Sequence, residues 1–185
     1  MRTPARIAKH PIHPMLVPIP IGLWLFSLVC DLVYRFGGGS PTWEAVALYT
    51  MIGGIVGALI AAVPGFIDVL SLPQSVKRIG FTHMGINLAV VVLYAINAWL
   101  RRDGVTDGTI WLSVLSVVLL GVSGWLGGEM VYVRGVAVEL GAETLSQMAP
   151  REASAAPRRT AYRGTERRRP TANPRYFGPD RRIAT

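Results

Sequence analysis

Residues 15–34 read MLVPIPIGLWLFSLVCDLVY, twenty positions with Asp31 as their one charged residue. A helix of about 20 residues spans the roughly 30 Å of hydrocarbon in a bilayer. Apolar side chains occupy every face of such a helix, so it belongs in lipid rather than on the surface of a water-soluble core. Arg2, Arg6 and Lys9 precede it, as in a secretory leader. The run is longer than the 7–15 apolar residues typical of a leader and carries an acid, so a retained helix is expected. Pro18 and Pro20 are expected to kink its first turns or mark its true start.

Three further runs of the same kind follow, between Trp43 and Leu70, Phe81 and Leu100, and Ile110 and about Val133. The connections are short and rich in breakers: Arg35-Phe36-Gly37-Gly38-Gly39-Ser40-Pro41, Leu72-Pro73-Gln74-Ser75 and Arg101-Arg102-Asp103-Gly104. Short loops make successive helices antiparallel. The expected fold is therefore an all-α membrane protein, four transmembrane helices in an up-and-down bundle. Its expected parts are an N-terminal segment over residues 1–14, the helical domain over 15–140 and a disordered arginine-rich tail over 141–185. The single cysteine, Cys30, lies inside the first run and excludes an intramolecular disulfide framework.

Basic residues set the expected orientation. Arg2, Arg6 and Lys9, then Lys77 and Arg78, then all eleven arginines after the fourth run fall on one side. Arg35, Arg101 and Arg102 fall on the other. Basic loops stay in the cytoplasm, so both termini are expected there, in a bacterial inner membrane. Gly53 with Gly57 and Gly124 with Gly128 have the spacing that lets helix backbones approach, and packing within the chain is the expected use.

Polar groups in such segments are costly and need partners or tasks. His10, His13, Asp68, His83, Glu129 and Arg134 all fall at helix ends on the expected cytoplasmic side. His83, Asn87, Tyr94 and Asn97 repeat at helical spacing, forming one stripe toward the bundle interior. Neutral imidazole ligates haem iron and transition metals, and carboxylates can complete a sphere or orient a ring. His13 and His83 are the candidate pair for one haem b; His10, His13, Asp68, His83 and Glu129 are the candidate metal donors. Asn87, Tyr94 and Arg134 are the remaining binding candidates. With three histidines, two bis-histidine haems are excluded by count. A structural alternative stands beside this: boundary histidines that meet water and headgroups, Asp68 paired with Arg134, and Glu129 with Arg134 or Lys77. Asp31, near the opposite face, reads as a boundary residue. There is no phosphate-cradling loop, nucleophile elbow or metalloprotease motif.

His10-Pro-Ile-His13-Pro-Met-Leu-Val-Pro-Ile-Pro-Ile-Gly22, Gly65-Phe-Ile-Asp68, His83 with Asn87, and the stretch from Gly127-Gly128-Glu129 to Val136 occur in that order. Together they resemble the motifs of a bacterial membrane family called domain of unknown function 2231, over residues 10 to about 138. The resemblance implies a four-helix inner-membrane protein without an assigned reaction. It also implies a link to electron transfer, because some relatives are fused to or neighbour Rieske-type iron–sulfur domains. This chain has no Rieske cysteine pairs and carries the arginine-rich tail.

That tail, with Arg158-Arg159, Arg167-Arg168-Arg169 and Arg181-Arg182, lacks the apolar area needed to offset chain entropy. Guanidinium groups suit phosphate, so anionic lipid headgroups are the expected contact, with a plain solvated tail as the alternative. Tyr162, Tyr176 and Phe177 would permit stacking on nucleic acid, but tethering beneath a membrane favours lipid. The expectation for function is a small redox-associated membrane subunit with a redox partner protein, using the His13/His83 cluster with one haem b or a metal ion. The alternative is a non-catalytic scaffold, anchor or small-solute transporter.

Overall fold

The computed structural model describes residues 3–138, and the expected tail lies outside them. A two-stranded hairpin comes first, β1 (Arg6–Ile7) paired antiparallel with β2 (His10–Pro11). Its two central residues, Ala8 and Lys9, both have positive φ, 48° and 72°, the backbone of the tight turn that matches strand twist. The chain then enters a short helix, α1 (Ile12–Leu16), and continues into α2 (Pro18–Phe36). Val17 joins them in helical conformation, its N–H donating to the His13 carbonyl. Pro18 therefore stands at the first turn of α2, where its missing N–H costs nothing. The proline pair divides one long helix into two segments rather than delaying its start.

Three long helices follow: α3 (Pro41–Leu70), α4 (Gln74–Leu100) and α5 (Asp107–Gly128). Among the described residues four spans are long and apolar enough to cross a membrane: Ile12–Phe36, Pro41–Leu70, Gln74–Asp103 and Asp107–Val133. Each overruns its apolar run. The difference is largest in α4, which begins at Gln74 after Pro73 rather than near Phe81. Lys77 and Arg78 thus sit on its first two turns, polar turns that hydropathy cannot recognise as helix. A capping box closes the start of α5, with the Thr106 hydroxyl accepting from the Thr109 N–H and the Thr109 hydroxyl from the Thr106 N–H. At its other end α5 runs into a π-helical turn, Glu129–Val133, where the Arg134 N–H reaches back to the Glu129 carbonyl.

The helices pack as two hairpins, α2 with α3 and α4 with α5, joined along the α3–α4 and α2–α5 seams. The expected up-and-down bundle is the fold. Close approach within the first hairpin uses Gly54, where a Cβ would meet the Trp24 ring, and Gly53 and Gly57, which lie against Leu23, Ile19 and Pro20. Gly124 makes no such contact and lines a cavity instead. The interior centres on Trp24, Met51, Val90, Tyr94 and Leu120, with the Trp24 and Tyr94 rings stacked at 4.6 Å. Large apolar side chains such as Leu59, Val63, Leu88 and Val118 point outward, more than half exposed, as lipid-facing positions should.

Candidate functional site

Two polar layers lie on either side of the aromatic stack, one at α1 and the third turn of α4, the other toward the C-terminal ends of α2 and α4. The first is built on His13 and His83. His13 leans on α3, its Nδ1 2.8 Å from the Ala61 carbonyl oxygen. Gly65 makes this possible, because a Cβ there would stand 2.7 Å from the same nitrogen. His83 leans on α5 in the same way, its Nδ1 2.9 Å from the Ser123 carbonyl oxygen, above Gly127. A carbonyl oxygen only accepts, so both Nδ1 atoms carry the proton and both Nε2 atoms hold a lone pair in the neutral ring. The rings meet edge to face with centres 6.3 Å apart.

Asn87, one turn along α4, completes the layer. Its amide nitrogen lies 2.7 Å from Ser123 Oγ, 2.9 Å from the His83 carbonyl oxygen and 3.1 Å from His83 Nε2. Three acceptors thus compete for two amide hydrogens. Among the described residues His13 Nε2 has no hydrogen-bond partner. Both histidines, Asn87 and Ser123 border a cavity whose other walls are apolar, including Trp24 and Leu120. Its volume is about 70 Å³, above the roughly 10–15 Å³ needed to hold a water.

The other sequence candidates stand elsewhere. The exposed His10 ring contacts the Ala8 carbonyl oxygen within the β-hairpin turn. Asp68 accepts from the Ala5 N–H at 2.9 Å, tying the N-terminal hairpin to the end of α3 rather than pairing with Arg134. Glu129 pairs with Arg134 at 3.2 Å, both partly exposed. Tyr94 is wholly buried against Trp24, and among the described residues its hydroxyl has no hydrogen-bond partner. Among the described residues no group of three or more His, Cys, Asp or Glu side chains is placed to share a metal ion. His13 and His83 alone of the five metal candidates face each other.

The second layer corrects the boundary assignment of Asp31. Its carboxylate is fully buried and receives both Nη groups of Arg101, at 2.6 and 2.5 Å. Arg101 Nε donates to Asn97 Oδ1 at 3.1 Å, and Asn97 Nδ2 donates to the Thr109 carbonyl and to Ser113 Oγ. Ser113 returns a bond to Asp31 at 3.2 Å. In sequence Arg101 reads as a loop residue after the third apolar run. The signal that it pairs inward was Asn97 one turn before it, together with the acid in the first helix.

An apolar four-helix bundle with outward-facing lipid contacts and two buried polar layers defines an integral membrane protein. The chain belongs to the family described as predicted membrane protein (DUF2231), whose model matches residues 9–140. Among curated proteins and solved structures nothing matches it.

Proposed function

We propose that this protein holds one redox-active transition metal between His13 and His83 and serves as a small electron-transferring subunit of the bacterial inner membrane. The observation that carries this reading is the histidine pair: two imidazoles from different helices, each fixed through Nδ1 by a backbone carbonyl. That outer bond is the one metal-ligating histidines make, because it leaves Nε2 as the donor and sets the ring's orientation. The ring centres stand 6.3 Å apart, close enough for one ion to be shared between them.

The donors suit copper or iron, and two groups could present that chemistry. A bare ion is within the cavity's volume once Asn87 releases His83 Nε2; the iron of haem b would require the two hairpins to part along their seams. When bound, either supplies a one-electron couple. His13 and His83 would hold it, the apolar walls would exclude water, and a partner protein would exchange the electron. The distribution of basic residues supports cytoplasmic termini, with this layer on the cytoplasmic side and the arginine-rich tail against anionic lipid. A second reading, a non-catalytic scaffold, anchor or small-solute transporter, is favoured by the Asn87 contact that already occupies His83 Nε2.

The test is an absorption spectrum of the full chain purified in detergent, oxidised and dithionite-reduced, with metal analysis of the same sample. A Soret band lost in His13→Ala and His83→Ala identifies haem. Stoichiometric copper or iron without a Soret band identifies the bare ion. A featureless spectrum with no stoichiometric metal, from cells supplied with haem and copper, refutes the proposal.

A further inference from the structure

The two hairpins repeat one another. His13 and His83, Trp24 and Tyr94, and Asp31 and Arg101 each meet across the bundle, and each pair is 70 residues apart, the separation of the Asp31–Arg101 bond. Their hydrogen bonds repeat as well. His13 bonds the Ala61 carbonyl and His83 the Ser123 carbonyl; Ser27 bonds the Ala47 carbonyl and Asn97 the Thr109 carbonyl. Ser27 and Asn97 obey the α2-to-α4 offset. Ala61 with Ser123 and Ala47 with Thr109 share a second constant offset, from α3 to α5. Helices α2 and α4 run parallel in an up-and-down bundle, so the axis relating the halves runs along the bundle and passes between the two imidazoles.

A site on that axis presents two equivalent donors unless a neighbour distinguishes them. Asn87 does so. Its counterpart in the first hairpin is Val17, which lines the same cavity and has no polar atom in its side chain. Asn87 therefore reaches His83 Nε2, while among the described residues no group hydrogen-bonds His13 Nε2. We infer that Asn87 is a positioning residue that makes His13 the first donor to an arriving metal and holds His83 back as the second. This rests on the metal-site reading above. His83 engages when the Asn87 amide gives up Nε2 and keeps Ser123 Oγ and the His83 carbonyl, two acceptors sufficient for its two hydrogens.

The experiment titrates haemin, and separately Cu⁺, into the full chain in detergent, comparing wild type, Asn87→Val, Val17→Asn and the exchange variant carrying both. A neutral hydrogen bond contributes about 1 kcal/mol net, about fivefold in affinity. Asn87→Val should bind whichever probe the wild type takes about fivefold more tightly, and Val17→Asn about fivefold more weakly. The exchange variant, with the cap moved to His13, should return to within about twofold of wild type. Structural damage would weaken all three variants and leave the exchange the worst, and that result overturns the inference. Equal affinities across the set overturn it too, while leaving the metal site standing. No binding of either probe by the wild type overturns both.

Discussion

The Asp31–Arg101 pair is buried and joins the two hairpins, and the effect of breaking it can be forecast in some detail. Both side chains are buried, at 0% and 1% exposure. Truncating one partner of a buried pair costs about 3–5 kcal/mol, mostly because the survivor is left charged and unpaired. The two truncations should differ. Arg101→Ala leaves a carboxyl that can shed its charge by taking a proton; Asp31→Ala leaves a guanidinium that cannot lose one. Asp31→Ala should therefore fall near 5 kcal/mol and Arg101→Ala near 3 kcal/mol, both about those values. Asp31→Leu with Arg101→Met should lie within about 2 kcal/mol of wild type, because apolar groups of similar volume often replace a buried pair at little loss. Equilibrium unfolding of the full chain by SDS in mixed micelles, followed through tryptophan fluorescence, measures all three. Single losses below about 1 kcal/mol, or effects that add without coupling, would show that the pair is not closed in the membrane.

The glycines beneath the histidines should respond unequally. In Gly65→Ala the new Cβ would meet His13 Nδ1 at 2.7 Å and must displace the ring, whereas in Gly127→Ala it meets His83 Cε1 at an easier 3.4 Å. Metal or haem occupancy should fall severalfold in the first and change little in the second, read from the spectrum and metal content. Trp24→Ala, which removes a stacked, nearly buried indole bonded to the Met51 carbonyl, should cost about 3–5 kcal/mol in the SDS assay. Tyr94→Phe should be neutral within about 0.5 kcal/mol or stabilising, because the lost hydroxyl has no partner among the described residues. Thr106→Ala should cost about 1 kcal/mol by opening the capping box of α5, and Thr106→Asp should recover most of it.

The bundle was legible because hydrophobic length is a local property: each run announces its own helix. Helix ends were less so, since Gln74 to Gly80 is helical by continuity with α4 rather than by its own apolarity. The closeness of His13 and His83 was legible for a related reason, as histidines at the starts of the first and third apolar runs fall at one level of an up-and-down bundle. Partners across the bundle were not. Nothing local joins Asp31 to Arg101, Asp68 to the Ala5 amide, or His13 to a carbonyl on α3. The repeat escaped for a subtler reason. Its paired positions hold complementary residues, an acid facing a base and an indole facing a phenol, so comparing the halves for identity finds little.

Complementarity also decides which halves can join. Two copies of the first hairpin, brought together as the two hairpins of one chain are, would set Asp31 against Asp31 in a buried layer. Two copies of the second would set Arg101 against Arg101. Each hairpin is thus barred from mating with itself and accepts only its opposite, which the same polypeptide supplies four residues after α3 ends. In a crowded membrane, where many newly made copies lie side by side, that buried charge pair bars like hairpins of neighbouring copies from pairing, while the short α3–α4 connection keeps the complementary hairpin of the same chain nearest.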